Sequence, residues 1–440
     1  MPPDRPDPKT VAVPASRLSR LAHLGGLASR IAGTVAAGGA AQLARGQHPR
    51  LADLLLTPAN ARRVADQLAQ MRGAAMKMGQ LLSMDGGEML PPELTQILAR
   101  LRADADPMPG AQVKQVLTAA WGADWLHRFQ RFDVRPLAAA SIGQVHRAIT
   151  RDGRDLAIKV QYPGVRRSID SDVDNVAALL RLSGLVPRGL DLGPMLAEAK
   201  RQLHDEADYA REGRNLARFG TLLADRPAFV VPALHADLTT QGVLAMSFVE
   251  GGPVEDLTNA PQAERNRVMA QLIDLMFREL FEFHLMQTDP NFANYRYASA
   301  TGRVILLDFG ATRVLPADLV ARYRDLLRAG LSGDRGRMRD AAIRMGFLGG
   351  DAPARMEHGM LAMFDMAMGP LRQGGVFDFG ASDLAVRLRD AGLALAEDRA
   401  HVVIPPMDTL FVQRKFGGIF LLANRLKAQV DLRALIAPHL

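Results

Sequence analysis

Residues 279–313 read ELFEFHLMQTDPNFANYRYASATGRVILLDFGATR, and the fold turns on how this stretch is read. Apolar residues at helical spacing (Leu272, Met276, Leu280, Phe283) predict a helix that ends near Met286. A polar loop follows, with Asp289, Pro290, Asn291 and Asn294. Thr301-Gly302 marks a turn, and Val304-Ile305-Leu306-Leu307 is short and branched enough to be a buried strand, closed by Asp308-Phe309-Gly310. Asp289, Asn294 and Asp308 therefore place carboxylate and amide oxygens, the donors a hard divalent cation takes, on either side of one short strand. An ordinary strand and turn would also explain Asp-Pro-Asn, so the upstream sequence has to decide between the two.

The 440 residues exceed one average domain, and 48% hydrophobic content is ample for a packed core. The absence of cysteine excludes disulfides, thiolate catalysis and cysteine-ligated zinc, and it suits a reducing compartment. The ten histidines show no His-Glu-x-x-His spacing. A net charge of +7 allows an anionic partner, although charge spread over a solvated surface is the simpler reading. Aromatic residues make up 5% and are not interleaved with basic runs, so no nucleic acid partner is expected.

The first 16 residues lack periodicity and read as a disordered tail. Residues 21–43 are small and apolar but interrupted by Arg30, and neither piece reaches the roughly 20 residues of a membrane span. They fit a packing segment or an interfacial helix. Thr57-Pro58 starts a helix through Val64, Leu68 and Met71 that carries Lys77-Met78-Gly79-Gln80. Gly73 and Gly79 inside it each cost roughly 1 kcal/mol relative to alanine, which a close approach to another backbone or a ligand would offset. Pro91-Pro92-Glu93 opens a second helix, and a third spans about residues 111–120.

From Phe132 the apolar period changes to two. Residues 136–141, holding Ala138, Ala139, Ala140 and Ser141, form a tight turn into a strand over residues 142–149. Asp152-Gly153 then turns the chain into a second strand, residues 156–161. There Leu156, Ile158 and Val160 share one face while Ala157 and Lys159 share the other. A helix from about Pro194 to Phe219 carries Glu206, Asp208 and Glu212, and Asp208 and Glu212 are four apart on one face. If that face packs inward it needs buried cations, and Lys159 and Lys77 are the candidates. Residues 243–246 read as an inner strand leading to a connector through Met246, Ser247, Phe248 and Val249. After Asp-Phe-Gly the chain goes straight into an amphipathic helix begun by Val320, Tyr323, Leu326 and Leu327.

Together these residues resemble the UbiB (AarF-like) atypical kinase family, in its coenzyme Q biosynthesis branch. The resemblance runs from about residue 21 to the C-terminus. It is carried by Lys77-x-Gly79-Gln80, the alanine-rich turn, Glu206-x-Asp208 with Glu212, Gln287-Thr288-Asp289-Pro290-Asn291 with Asn294, and Asp308-Phe309-Gly310-Ala311-Thr312-Arg313. Many members read His-x-Asp-Pro-His-x-Gly-Asn in the catalytic loop where this chain has Gln287, Asn291 and Ala293; that form marks the coenzyme Q branch. The long hydrophobic C-terminal anchor of some members is not expected here.

The resemblance implies an α+β, bilobal protein-kinase-like fold with a small antiparallel-sheet N-lobe (residues 126–251) and a helical C-lobe (252–440). A helical extension (17–125) would precede it and cover the cleft. ATP and Mg2+ are the implied cofactors. In catalytic roles it places Asp289, Lys77, Lys159 and Glu212, with Lys159 paired to Glu212 and Lys77 near Glu206 and Asp208. The nucleotide would meet Ala138, Ala139, Ala140, Ser141, Lys159, Met246, Ser247, Phe248, Val249, Glu206, Asp208 and Gln80. Asn294 and Asp308 would hold the metal. The expected function is an ATP-binding, magnesium-dependent atypical kinase or ATPase supporting ubiquinone biosynthesis. It would be cytoplasmic and peripheral to the inner membrane, on an anionic surface, acting on a prenylated quinone precursor or on partner ubiquinone-biosynthesis enzymes. The alternatives are a small-molecule kinase of the aminoglycoside or choline type and a nucleotide-binding pseudokinase scaffold.

Overall fold

Helix α1 (Gly110–Trp121) starts after Pro109 and stops at Gly122, whose φ of 91° no side chain tolerates easily. The computed structural model describes residues 107–182, 193–396 and 405–440. The expected tail, the 21–43 segment, the helices begun by Thr57 and Pro91, and Lys77 and Gln80 lie outside them. The chain divides into two compact units, the first ending at Arg214 and taking in Leu234–Phe248, the second made of Asn215–Ala233 and Val249–Leu440.

In the first unit, Val113, Leu117 and Trp121 recur every four residues of α1 and are buried. They pack with Trp125 and Phe129 on an antiparallel sheet. Its strands are β1 (Phe129–Phe132), β2 (Ala138–Ala139), β3 (Gly143–Thr150) and β4 (Asp155–Gln161). After α2 (Val165–Leu182), α3 (Gly193–Glu206), α4 (Tyr209–Leu222) and the two-residue β5 (Phe229–Val230) of the second unit, the chain returns as β6 (Val243–Ser247). The strand order is β1-β3-β4-β6, with β2 on β3. On β4 all residues from Leu156 to Gln161 are buried, but Leu156, Ile158 and Val160 join the α1 core while Ala157 and Lys159 do not, so the two faces expected for this strand are present. Burying each such side chain stabilises the fold by about 1.5–3 kcal/mol. Two expectations need correction. Strand β6 is buried but terminal, its outer edge met by no strand but by the Leu234–Met246 bridge and by the His235 and Thr240 amides, which donate to the Ala245 and Val243 carbonyls at 2.9 and 2.7 Å. The alanine stretch is a short strand and hairpin, with Ala138 opposite Val145 and Ala139 opposite Gln144.

The single helix expected from Pro194 to Phe219 is two helices. Asp208 leaves the helical path and its carboxylate accepts from the Arg211 amide at 2.9 Å, a cap that starts α4 afresh. The Ala207 carbonyl at the break takes the Gln161 side-chain amide at 3.0 Å. The break thus separates Glu206 from Glu212, while Asp208 stays at the head of α4, its carbonyl accepting from the Glu212 amide at 3.0 Å.

In the second unit, α5 (Gln262–Phe281) is almost wholly buried along its second half, and it ends before the expected boundary near Met286. His284 adopts φ 49° and reverses the chain. Leu285–Gln287 then forms β8. Its partner is β11 (Thr312–Val314), which follows Asp-Phe-Gly, so a strand intervenes before the next helix. The hairpin of β9 (Tyr295–Ala298) and β10 (Arg303–Leu306) turns at Gly302. These strands complete a small sheet of order β5-β10-β9-β7, where β7 is Gly252–Pro253. Helices follow: α6 (Ala317–Ser332), with Val320, Tyr323, Leu326 and Leu327 all buried, then α7 (Arg335–Met345), α8 (Ala354–Gln373), α9 (Leu384–Ala396) and α10 (Met407–Arg425). No helix among the described residues is long and apolar enough to cross a membrane.

Candidate active site

Lys159 stands on the face of β4 opposite the apolar core. Its Nζ lies 2.9 Å from both carboxylate oxygens of Glu212, on the first turn of α4. Glu212 is 1% exposed and Lys159 10%. Two charges so buried stay together because removing either strands the other at a cost of about 3–5 kcal/mol. The Tyr209 ring supports the ammonium, 5.0 Å from centroid to Nζ. Gly143 lets the strands close here, because a Cβ would lie 2.5 Å from the Val160 carbonyl and 2.6 Å from the Tyr209 hydroxyl.

Beside this pair, Ala138 and Ala139 are exposed and Ala140 half-buried, and none of the three takes a positive φ. The Ser141 hydroxyl reaches toward Glu206 at 3.5 Å, while Asp208 is spent as the cap of α4. Glu206 and Asp208 thus point to different tasks. In the connector, Met246 is buried and Ser247, Phe248 and Val249 are half-buried. The Phe248 amide donates to the Asp155 carbonyl at 2.9 Å, and the Arg147 guanidinium covers its ring at 4.1 Å. The Ser247 hydroxyl contacts His235 Nε2 at 3.0 Å. Arg154 can only donate to Nδ1, so Nε2 carries the proton.

In the second unit, residues 288–294 are bound to the strand that ends in Asp-Phe-Gly. The Thr288 hydroxyl donates to the Ala311 carbonyl at 2.8 Å, and the Leu307 amide donates to the Asn294 carbonyl at 3.1 Å. Asn291 caps its own turn by accepting from the Ala293 amide. The Asn294 side-chain NH2 donates to Asp289 Oδ2 at 3.2 Å, which directs the amide oxygen away from Asp289. Asp308 Oδ1 accepts from the Gly310 amide at 2.9 Å. Asn294 and Asp308 thus offer one amide and one carboxylate oxygen set. That suits magnesium, which takes one or two protein oxygens and completes its shell with phosphate and water. Among the described residues no cluster of three or more His, Cys, Asp or Glu forms an all-protein cage.

Sequence reasoning missed the cations beneath this loop. Arg414 on α10 reaches Asp289 Oδ1 at 3.0 Å. Lys415, 2% exposed, pairs with Glu279 at 3.1 Å and donates to the Tyr295 hydroxyl at 2.9 Å and to Gln287 at 3.3 Å. Burial works against the Lys415 charge, but the Glu279 carboxylate and the Tyr295 hydroxyl outweigh it and hold its pKa above the usual lysine range. Arg313, just past Asp-Phe-Gly, pairs with Asp408 at 2.9 Å and lies over the Phe411 ring. The available signal was two adjacent cations on a helix whose neighbours, Phe411, Val412 and Ile419, are core residues.

Residues 100–342 match the family model of the ABC1 atypical kinase-like domain. The chain is 39% identical over 426 residues to the mitochondrial atypical kinase COQ8 of Saccharomyces cerevisiae, covering 96% of this chain and 84% of the yeast protein. It is likewise 39% identical over 426 residues to the mitochondrial atypical kinase COQ8B of Rattus norvegicus, covering 96% and 80% of the two chains. Among solved structures, Rv3197 from Mycobacterium tuberculosis, determined in complex with erythromycin, superposes with a TM-score of 0.62 at 26% identity, over 85% of this chain and 93% of that one. The chain belongs to the ABC1 (UbiB/AarF-like) atypical kinase family, beside the COQ8 proteins, and is an atypical kinase of the phosphotransferase class with a protein-kinase-like α+β fold.

Proposed function

We propose that the protein binds ATP with magnesium and uses it, as a kinase or ATPase, in support of ubiquinone biosynthesis. It works at the surface of the cytoplasmic membrane, on a prenylated quinone precursor or on neighbouring biosynthetic enzymes. The COQ8 relatives support the coenzyme Q setting. The observation that carries the chemistry is the Lys159–Glu212 pair, a buried ammonium held in place by a helix carboxylate. Such an ammonium binds α- and β-phosphate oxygens. Asn294 and Asp308 are the residues that would hold magnesium, which when bound offsets the negative charge of the phosphates. Asp289 takes the proton of the attacking hydroxyl or water.

The alanine hairpin supports slow turnover. Glycines in a phosphate loop reach positive φ and bring their amides close, whereas alanine resists that geometry by roughly 1 kcal/mol or more. Generic proteins are therefore poor acceptors, and Ala139→Gly alters nucleotide affinity. The test is phosphate release and thermal stabilisation with ATP. Asp308→Asn should abolish release. Stabilisation, about 2.7 kcal/mol at 100 times the Kd, should require the divalent ion. Equal stabilisation in excess chelator would overturn this reading.

A further inference from the structure

We propose that Arg414 is a positioning residue for Asp289, and that α10 is for this reason a working part of the site. The inference rests on the reading of Asp289 as proton acceptor. Both oxygens of that carboxylate are held: Oδ1 by the Arg414 guanidinium at 3.0 Å and Oδ2 by the Asn294 amide at 3.2 Å. A carboxylate has about four lone-pair positions, so this grip leaves one on each oxygen and fixes where it points. In the transfer step the attacking oxygen bonds to the terminal phosphorus. The bridging bond breaks with its electron pair leaving on ADP, and the attacking group's proton passes to Asp289. A freely rotating carboxylate would meet that proton in few of its orientations.

The position of Arg414 is itself imposed. Its neighbour Lys415 is tied to Gln287 before the loop, to Tyr295 after it and to Glu279 on α5. One turn on, Gly418 lies so close to the loop that a Cβ there would sit 2.1 Å from Pro290 Cβ. Helix α10 cannot slide or rotate against residues 288–294 without breaking the Lys415 hydrogen bonds to Gln287 and Tyr295 that bracket them. Arginine fits the task because it never loses its proton and its planar fork keeps a fixed orientation.

The experiment uses the full chain and follows magnesium-dependent phosphate release, loop hydrogen exchange and melting. Arg414→Ala should lower kcat about 100-fold while the KM for ATP stays within about twofold. Arg414→Lys should recover part of the loss, to within about tenfold of the parent. Arg425→Ala removes the Arg425–Glu255 pair at 3.3 Å on the same helix and should leave turnover unchanged. A kcat for Arg414→Ala within about twofold of the parent would sink the proposal, as would a loss that follows the folded fraction and is not recovered by lysine. If the parent protein itself releases no phosphate, the functional reading above fails separately. In that case exchange in residues 288–294 decides: amides about tenfold faster in Arg414→Ala support positioning, and unchanged amides overturn it.

Discussion

Among the described residues, two buried lysine–glutamate pairs differ in how completely they are enclosed. Lys159 and Glu212 lie 2.9 Å apart with the lysine 10% exposed, and Lys415 and Glu279 lie 3.1 Å apart with both side chains at 2%. The second ammonium is closed in by the Tyr295 hydroxyl and the Gln287 side chain. A cation sealed on every side can only hold structure together, whereas one with an open flank can also receive an anion. The same pair of residue types is sealed in one unit and keeps some exposure in the other, which is what the phosphate-binding role proposed for Lys159 requires.

The largest effect is expected at the sealed pair. Lys415→Met should cost about 3–5 kcal/mol in chemical denaturation, because Glu279 is left buried without its cation. Adding Glu279→Met should restore stability to within about 1 kcal/mol of the parent; if it does not, the pair is more than an anchor. At the open pair, Lys159→Met should lower phosphate release about 100- to 1,000-fold. Glu212→Met added to it should recover folding but not turnover, and recovered turnover would erase the contrast.

Next in size is Gly418→Ala, which pushes a methyl group into Pro290 and should cost about 1–3 kcal/mol in stability, with a fall in turnover. The smallest effect concerns His146 on β3. The Met108 amide occupies the Gln144 side-chain oxygen at 2.8 Å, so Gln144 must donate to His146 Nε2 while Nδ1–H donates to the Asp133 carbonyl. The ring is thus neutral, and burial holds its pKa below the ordinary 6.5 against the raising influence of Asp133. In the unfolded chain the same histidine takes a proton near pH 6.5. Stability present above that pH is therefore lost as the pH falls toward the lower folded value. His146→Gln should remove about 1 kcal/mol or less of the loss measured between about pH 7 and 5. An unchanged pH profile would show that this ring does not titrate separately.

Much of this was legible along the chain because the signals were local. Strict alternation fixed which face of β4 carries Lys159, and the order Asp289, Asn294, Asp308 marked the loop and the strand beside it. The failures came where a local signal competed with a distant partner. Leu285 to Gln287 continue a helical period, yet Thr312 to Val314 recruit them into a ladder. No glycine or proline announces the break at Asp208, whose side chain makes it by capping. Arg414 lies 125 residues beyond Asp289, and nothing in the spacing of either reveals the other. Lys77 and Gln80, prominent in the sequence, fall outside the described residues.

Asp-Phe-Gly itself is tethered. Phe309 is 2% exposed, its ring centroid 4.8 Å from that of Phe219, and its carbonyl accepts from the Asn215 side chain at 3.2 Å. The flanking aspartate is held by the Gly310 amide. The packing of that phenylalanine separates active from inactive arrangements in this fold, and a compound aimed at its place would have to displace it. Here such a compound would have to expose a buried ring, at about 1.5–3 kcal/mol, and also break a side-chain clasp on the backbone. Chemists seeking selective ligands for this protein should start from scaffolds that leave Phe309 in place.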